Sequence, residues 1–159
     1  MSQIIDGYMR GGAKFIGPQI EVMLSRGEQV TLQISGDSMR PTLKPRRDAA
    51  VLAPLADWPA KRGDILFFRS ERSASGYALH RVWRVTPDGV YMNGDAQNWV
   101  EGPVPREMVL ARVIALIRKG EPVNIENPLY RVYVFLWRFT RRARFQLFAL
   151  WRKIKSSPE

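Results

Sequence analysis

The sequence predicts a mainly β domain with a short helical segment before it and an appended amphipathic helix after it. Three observations carry that expectation. Short apolar runs alternate with polar residues at the two-residue period of strands. Gly, Pro, Asn and Asp punctuate the intervals between those runs. From Asn127-Pro128 onward the apolar spacing becomes helical and the charge becomes basic.

The first segment, residues 3–26, has a helical pattern, expected to break at Gly17-Pro18, with Gln19 to Arg26 forming a short helix stopped by Gly27. In Gln29 to Ile34, Val30, Leu32 and Ile34 alternate with Gln29, Thr31 and Gln33, which describes a half-buried strand. This strand runs directly into Ser35-Gly36-Asp37-Ser38-Met39-Arg40-Pro41-Thr42-Leu43, where Pro41 and Pro45 exclude a continuing central strand. Further strands are expected at Ala49–Ala53, Asp64–Arg69, Tyr77–Val85, Gly89–Asn93 and Val109–Arg118. Their turns fall at Arg62-Gly63-Asp64, Pro87-Asp88-Gly89, Asn93-Gly94-Asp95 and Lys119-Gly120. Many short strands with such turns suit a small barrel or sandwich-like body. In the tail, Leu129, Val132, Tyr133, Leu136, Ala143, Leu147, Leu150, Trp151 and Ile154 follow one helical stripe, with Arg131, Arg138, Arg142, Arg152 and Lys153 broadly opposite.

The chain has 159 residues, enough for one cored domain (1–126) and a short appendage (127–159). At 45% hydrophobic and 25% charged it is globular rather than disordered. It contains no cysteine, which removes disulfides, thiolate zinc sites and thiol catalysis together. The net charge of +10 is uneven: residues 127–159 hold eight Lys/Arg against Glu159 alone, so +7 resides in the tail. Basic tails seek phosphates, of nucleic acid or of an anionic lipid surface. Here Trp137, Phe145, Phe148 and Trp151 favour a membrane surface over nucleic acid. A helix simply packed on the body is the plain alternative. No run approaches the about 20 apolar residues of a spanning helix, and no signal-peptide pattern opens the chain. The expected location is therefore cytoplasmic or peripheral to a membrane.

Ser38 and His80, the single histidine, supply a nucleophile and a base 42 residues apart. A serine hydroxyl attacks only when a neighbour takes its proton, and imidazole titrates in the right range. Gly36 permits a sharp turn or a close substrate approach, and backbone N–H groups beside Ser38 suit an oxyanion. The competing role for this segment is a helix N-cap. Strand alternation puts His80, Val82 and Arg84 on one side and Leu79, Arg81, Trp83 and Val85 on the other. A hairpin of Tyr77–Val85 with Gly89–Asn93 would return Asp95 toward His80, where it could orient the imidazole; Glu101 is a second candidate. A plain turn aspartate is the competing role for Asp95. Asp64 more simply caps a turn at a strand start.

The Ser35–Leu43 segment resembles the nucleophile box of type I signal peptidases and their relatives, which include the self-cleaving domains of DNA-damage repressors. Gly63-Asp64-Ile65-Leu66, His80-Arg81-Val82 and Gly94-Asp95 follow in the order of that superfamily's later boxes, over roughly residues 29–118. Most bacterial members carry lysine at the place of His80, whereas the endoplasmic-reticulum and archaeal branch has histidine, so the chain is similar to the Ser-His branch. The resemblance implies a signal-peptidase-like fold of coiled antiparallel β-sheets with an extended substrate alongside a strand. It implies a serine endopeptidase that processes a precursor or leader peptide near the membrane. Ser38 would be nucleophile, His80 base, Asp95 or Glu101 the supporting acid, and Ser35, Gly36, Asp37 and Met39 the oxyanion and substrate-binding surroundings. No metal or cofactor is implied. The expected partners are a precursor peptide and, through residues 127–159, an anionic membrane surface, with no nucleic acid. A catalytically weak peptide-binding module of the same fold is the competing reading.

Overall fold

The computed structural model describes residues 13–55, 60–125, 127–141 and 143–147. The chain divides into two compact units, Met1–Ile125 and Glu126–Glu159.

The first unit is built on one antiparallel sheet. Its strands are β1 (Val30–Gln33), β2 (Asp48–Pro54), β3 (Ile65–Arg69), β4 (Tyr77–Thr86), β5 (Gly89–Asn93), β6 (Glu101–Val104), β7 (Val109–Arg118) and β8 (Glu121–Val123). They lie in the order β1-β2-β7-β3-β4-β5-β6, with β8 pairing β7. The expected mainly β architecture is thus observed. The short strands β6 and β8 and the 3-10 turn Arg106–Met108 add to the predicted set. They escaped prediction because Glu-Gly-Pro-Val and Glu-Pro-Val carry too little alternation to stand out from turn sequence.

The sheet cannot be flat. Register shifts interrupt the β2–β7, β3–β7, β4–β5 and β5–β6 pairings, and each such bulge bends and twists its strand. Alternation along β3 supplies both sides of the core. Leu66 and Phe68 face a cluster with Leu55, Val82, Val90, Met92, Val104 and Val109, and all of these are buried. Phe67 is also buried and stacks on Tyr77 with ring centroids 5.6 Å apart.

One helix, α1 (Ala13–Ser25), packs on this unit by burying Ile16, Ile20 and Leu24, one residue per turn on a single stripe. The expected break at Gly17-Pro18 does not occur, for Pro18 lies inside a continuous helix. The part of the predicted segment before Ala13 lies outside the described residues. Tertiary packing overrides the proline here. The Gly17 backbone sits against the Tyr77 ring, and Arg69 grips Glu21 through Nε (2.8 Å) and Nη2 (2.7 Å). A Cβ added at Gly17 would collide with the Tyr77 ring. Gly17→Ala is therefore expected to destabilise the protein by about 1–3 kcal/mol, although alanine is the better helix former by about 1 kcal/mol. Urea unfolding measures the net sign.

The second unit contains α2 (Pro128–Phe139), followed by further helical residues within 141–147. The Leu129 N–H donates to Asn127 Oδ1 (2.8 Å), and Pro128 occupies the first turn, where its missing N–H costs nothing. The predicted continuation through Leu150, Trp151 and Ile154 lies outside the described residues. Among the described residues, no helix is long and apolar enough to cross a membrane.

Candidate active site

The segment after β1 forms turns and no helix, so Ser38 caps nothing. Its neck is closed by backbone bonds from Ile34 N–H to the Asp48 carbonyl (3.0 Å) and from Arg46 N–H to the Ile34 carbonyl (2.8 Å). Met39, Thr42 and Leu43 are buried and anchor the loop, while Ser38 is half-buried at its rim. Asp48, at the far end, accepts the Lys44 N–H (2.9 Å) and pairs with Arg47. Burial opposes ionisation of Asp48, yet the Arg47 guanidinium and the Lys44 N–H outweigh it and hold the carboxyl below its ordinary range. Within the loop, the Arg40 N–H donates to the Asp37 carbonyl and the Leu43 N–H to the Met39 carbonyl. The Ser38 and Met39 N–H groups take no part in these bonds.

The turn after β5 supports the loop from behind. The Ala96 N–H donates to the Ser38 carbonyl at 2.8 Å. A Cβ on Gly94 would meet that same carbonyl oxygen at 2.6 Å, so only glycine lets the two backbones approach this closely. Asp95 secures the turn: its carboxylate receives Arg81 Nε (2.9 Å) and Nη2 (2.8 Å), and Arg81 Nη1 also donates to the Gly63 carbonyl (3.0 Å). Both side chains of the pair are buried. The three boxes Gly63-Asp64, His80-Arg81 and Gly94-Asp95 thus converge on one ionic clasp. Asp64 accepts the Lys61 N–H (2.8 Å), the turn cap expected of it.

Ser38 and His80 line one cleft of about 240 Å3, together with Leu32, Gln33 and Ile34 at the end of β1, Tyr77 to Leu79 of β4, and Trp99 and Glu101. β1 and β4 stand four places apart in the sheet order. In a flat sheet four strand spacings would separate them by about 19 Å. Their meeting at one cleft measures how far the bulged sheet coils.

His80 and Arg81 are both buried, on opposite faces of β4 as alternation requires, but the alternation fails at the bulge around Trp83. The imidazole packs between Phe68 (centroids 5.8 Å apart) and the edge of Trp99 (6.1 Å). Burial lowers its pKa to about 4, with the field of Asp95 offsetting a part of that shift. The ring is neutral at pH 7, the state a proton acceptor needs. Its Nδ1 is buried and makes no hydrogen bond.

The two candidate acids separate. Asp95 is committed to Arg81, because residue 81 projects from the other face of the strand that carries His80. Glu101 lines the cleft itself. One of its oxygens accepts the Ser70 hydroxyl (2.5 Å), and Oε2 is buried without a partner. Ser35, Gly36 and Met39 also line the cleft, whereas Asp37, whose carboxylate takes Arg40 Nε, does not. Gly36 has neither positive φ nor a neighbour within 4 Å of an added Cβ, and its open side is the cleft, which leaves room for the close substrate approach that glycine permits.

Ser70, Trp99 and Arg72, which sits over the Trp99 ring (5.3 Å), are site residues that sequence reasoning missed. The serine-rich turn Ser70–Ser75 between two strands was the available signal. Among the described residues no cluster of His, Asp or Glu side chains is gathered to hold a metal ion.

The low His80 pKa makes stability pH-dependent. Between about pH 6.5 and about pH 4 the unfolded chain binds more protons than the folded one, so stability falls as pH is lowered through that window. The full loss is about 3 kcal/mol, and above the window His80 has no effect. Urea unfolding of His80→Gln, compared with the parent at neutral pH and near pH 4, is expected to show a correspondingly shallower decline.

No family model, curated protein or solved structure matches this chain.

Proposed function

We propose that the chain is a serine endopeptidase of signal-peptidase type acting on a precursor or leader peptide. The observation that carries this reading is that Ser38 and His80, distant in sequence, line one cleft with an extended strand end beside them. The substrate runs extended along Leu32–Gln33 of β1 and the following Ile34, β1 being the terminal strand of the sheet on that side. Leu32, Met39, Phe67, Tyr77 and Leu79 give the cleft an apolar floor suited to small apolar side chains next to the cut, as the family resemblance implies. Ser38 Oγ attacks the scissile carbonyl as His80 accepts its proton, and His80 returns that proton to the leaving amine. The N–H groups of Ser38 and Met39 serve the oxyanion. Asp95, whose field already offsets part of the fall in the His80 pKa, steadies the imidazolium, with Glu101 on the cleft as the second candidate.

Incubating the purified chain with a peptide library and sequencing the products tests this, with Ser38→Ala as control. Cleavage that survives in Ser38→Ala, or none by the parent, overturns the reading. One observation favours a second reading, a peptide-binding module: an imidazole held at about 4 is a weak base. Failure of a serine-directed covalent probe to label Ser38, with peptide binding retained, selects that alternative.

A further inference from the structure

The described part of the tail presents an apolar face. Leu129, Val132, Phe135, Leu136 and Phe139 are 78%, 53%, 65%, 52% and 78% exposed. At 100° per residue they occupy a single arc of roughly 120° along α2. Tyr130, Val134 and Trp137, on the other side of the helix, are half-buried. Tyr133, Trp137 and Arg144 form a stack, with the guanidinium 3.3 Å from the Trp137 centroid. Exposed Arg131 lies at the border of the arc.

We infer that α2 docks the protein in the plane of an anionic membrane surface, with the Leu129–Phe139 arc inserted among the acyl chains and the tail's arginines at the headgroup phosphates. Large exposed side chains gathered on one arc, rather than scattered, mark an interaction surface. The charge chooses the partner. Residues 127–159 carry +7, so an anionic surface attracts them, at about 1 kcal/mol, or fivefold in binding, per well-placed basic residue. Leu129, Val132, Leu136 and Phe139 also have the 3-4-3 spacing of a helix-pairing seam, but a second copy would bring another +7 alongside with almost no acid to compensate. A duplex satisfies the charge and leaves the apolar arc in water. A lipid interface satisfies both.

Sedimentation of the full chain with vesicles of phosphatidylcholine plus phosphatidylglycerol, or of phosphatidylcholine alone, tests the inference. Binding is expected only to the anionic vesicles and is expected to weaken as salt rises. Leu136→Asp with Phe139→Asp, both at exposed positions, should lower it at least ~10-fold without disturbing the β unit. Arg131→Gln should lower it about fivefold. Ser38→Ala should bind vesicles normally, so this result stands apart from the proteolytic reading. Three outcomes each overturn the inference: no vesicle binding by the parent, binding indifferent to the double substitution, or duplex binding or self-association in place of vesicle binding.

Discussion

Replacing Ser38 with alanine is expected to lower kcat/KM for a cleaved peptide at least ~10,000-fold and to change stability by no more than about 0.5 kcal/mol. The two effects separate because of where the hydroxyl lies. Ser38 is half-buried at the rim of the cleft, and its loop is held by other groups: Met39 and Leu43 in the core, the Ile34–Asp48 neck and the Ala96 N–H on the Ser38 carbonyl. None of these needs Oγ. His80→Gln is expected to lose a similar factor, since in the proposed mechanism the nucleophile and its base fail together. Glutamine is preferred to alanine there because His80 is buried between Phe68 and Trp99, where truncation would also leave a cavity. Product sequencing and thermal unfolding on the same preparations check the separation. Loss of activity accompanied by unfolding would say nothing about chemistry, so both readouts are needed.

Asp95→Asn is expected to destabilise the protein by about 3–5 kcal/mol, lowering Tm by roughly 10 °C or more. Arg81 and Asp95 have side-chain exposures of 5% and 4%, and the substitution leaves a guanidinium buried opposite a neutral amide. The expected effect on function is indirect. The clasp fixes the Gly94–Ala96 turn, and that turn holds the Ser38 carbonyl. Arg81→Met combined with Asp95→Leu should recover part of the stability, because a matched apolar pair removes both buried charges at once. A double-mutant cycle by urea unfolding measures the coupling. If Asp95→Asn unfolds no more readily than the parent, the clasp is not what holds the turn.

The sheet was legible where the signal is local. Val30, Leu32 and Ile34 alternate so plainly that β1 follows from them, and the Asp88-Gly89 turn implies the β4–β5 hairpin. Strand β6 was not legible, because Glu101-Gly102-Pro103-Val104 pairs through a bulge and reads as turn sequence. Pro18 misled because an interior proline costs about 3 kcal/mol, whereas the contacts of Ile16, Gly17 and Ile20 with the sheet outweigh it. The candidate site was half legible. Ser38, His80, Asp95 and Glu101 stand out by residue type and order, but no local rule assigns Asp95 to Arg81 and Glu101 to the cleft. That division depends on the opposite faces of β4 from which His80 and Arg81 project and on where β6 returns.

By itself, then, the sequence determined the chemical groups, the strands that carry them and the basic, apolar character of the tail, all of which follow from short-range periodicity and composition. Tertiary structure alone decided that β1 and β4 meet. It also set the His80 pKa near 4 and left Glu101 Oε2 without a partner beside the same cleft. Those outcomes depend on bulges accumulated across five strands and on burial, and both arise from pairings between residues far apart in the chain.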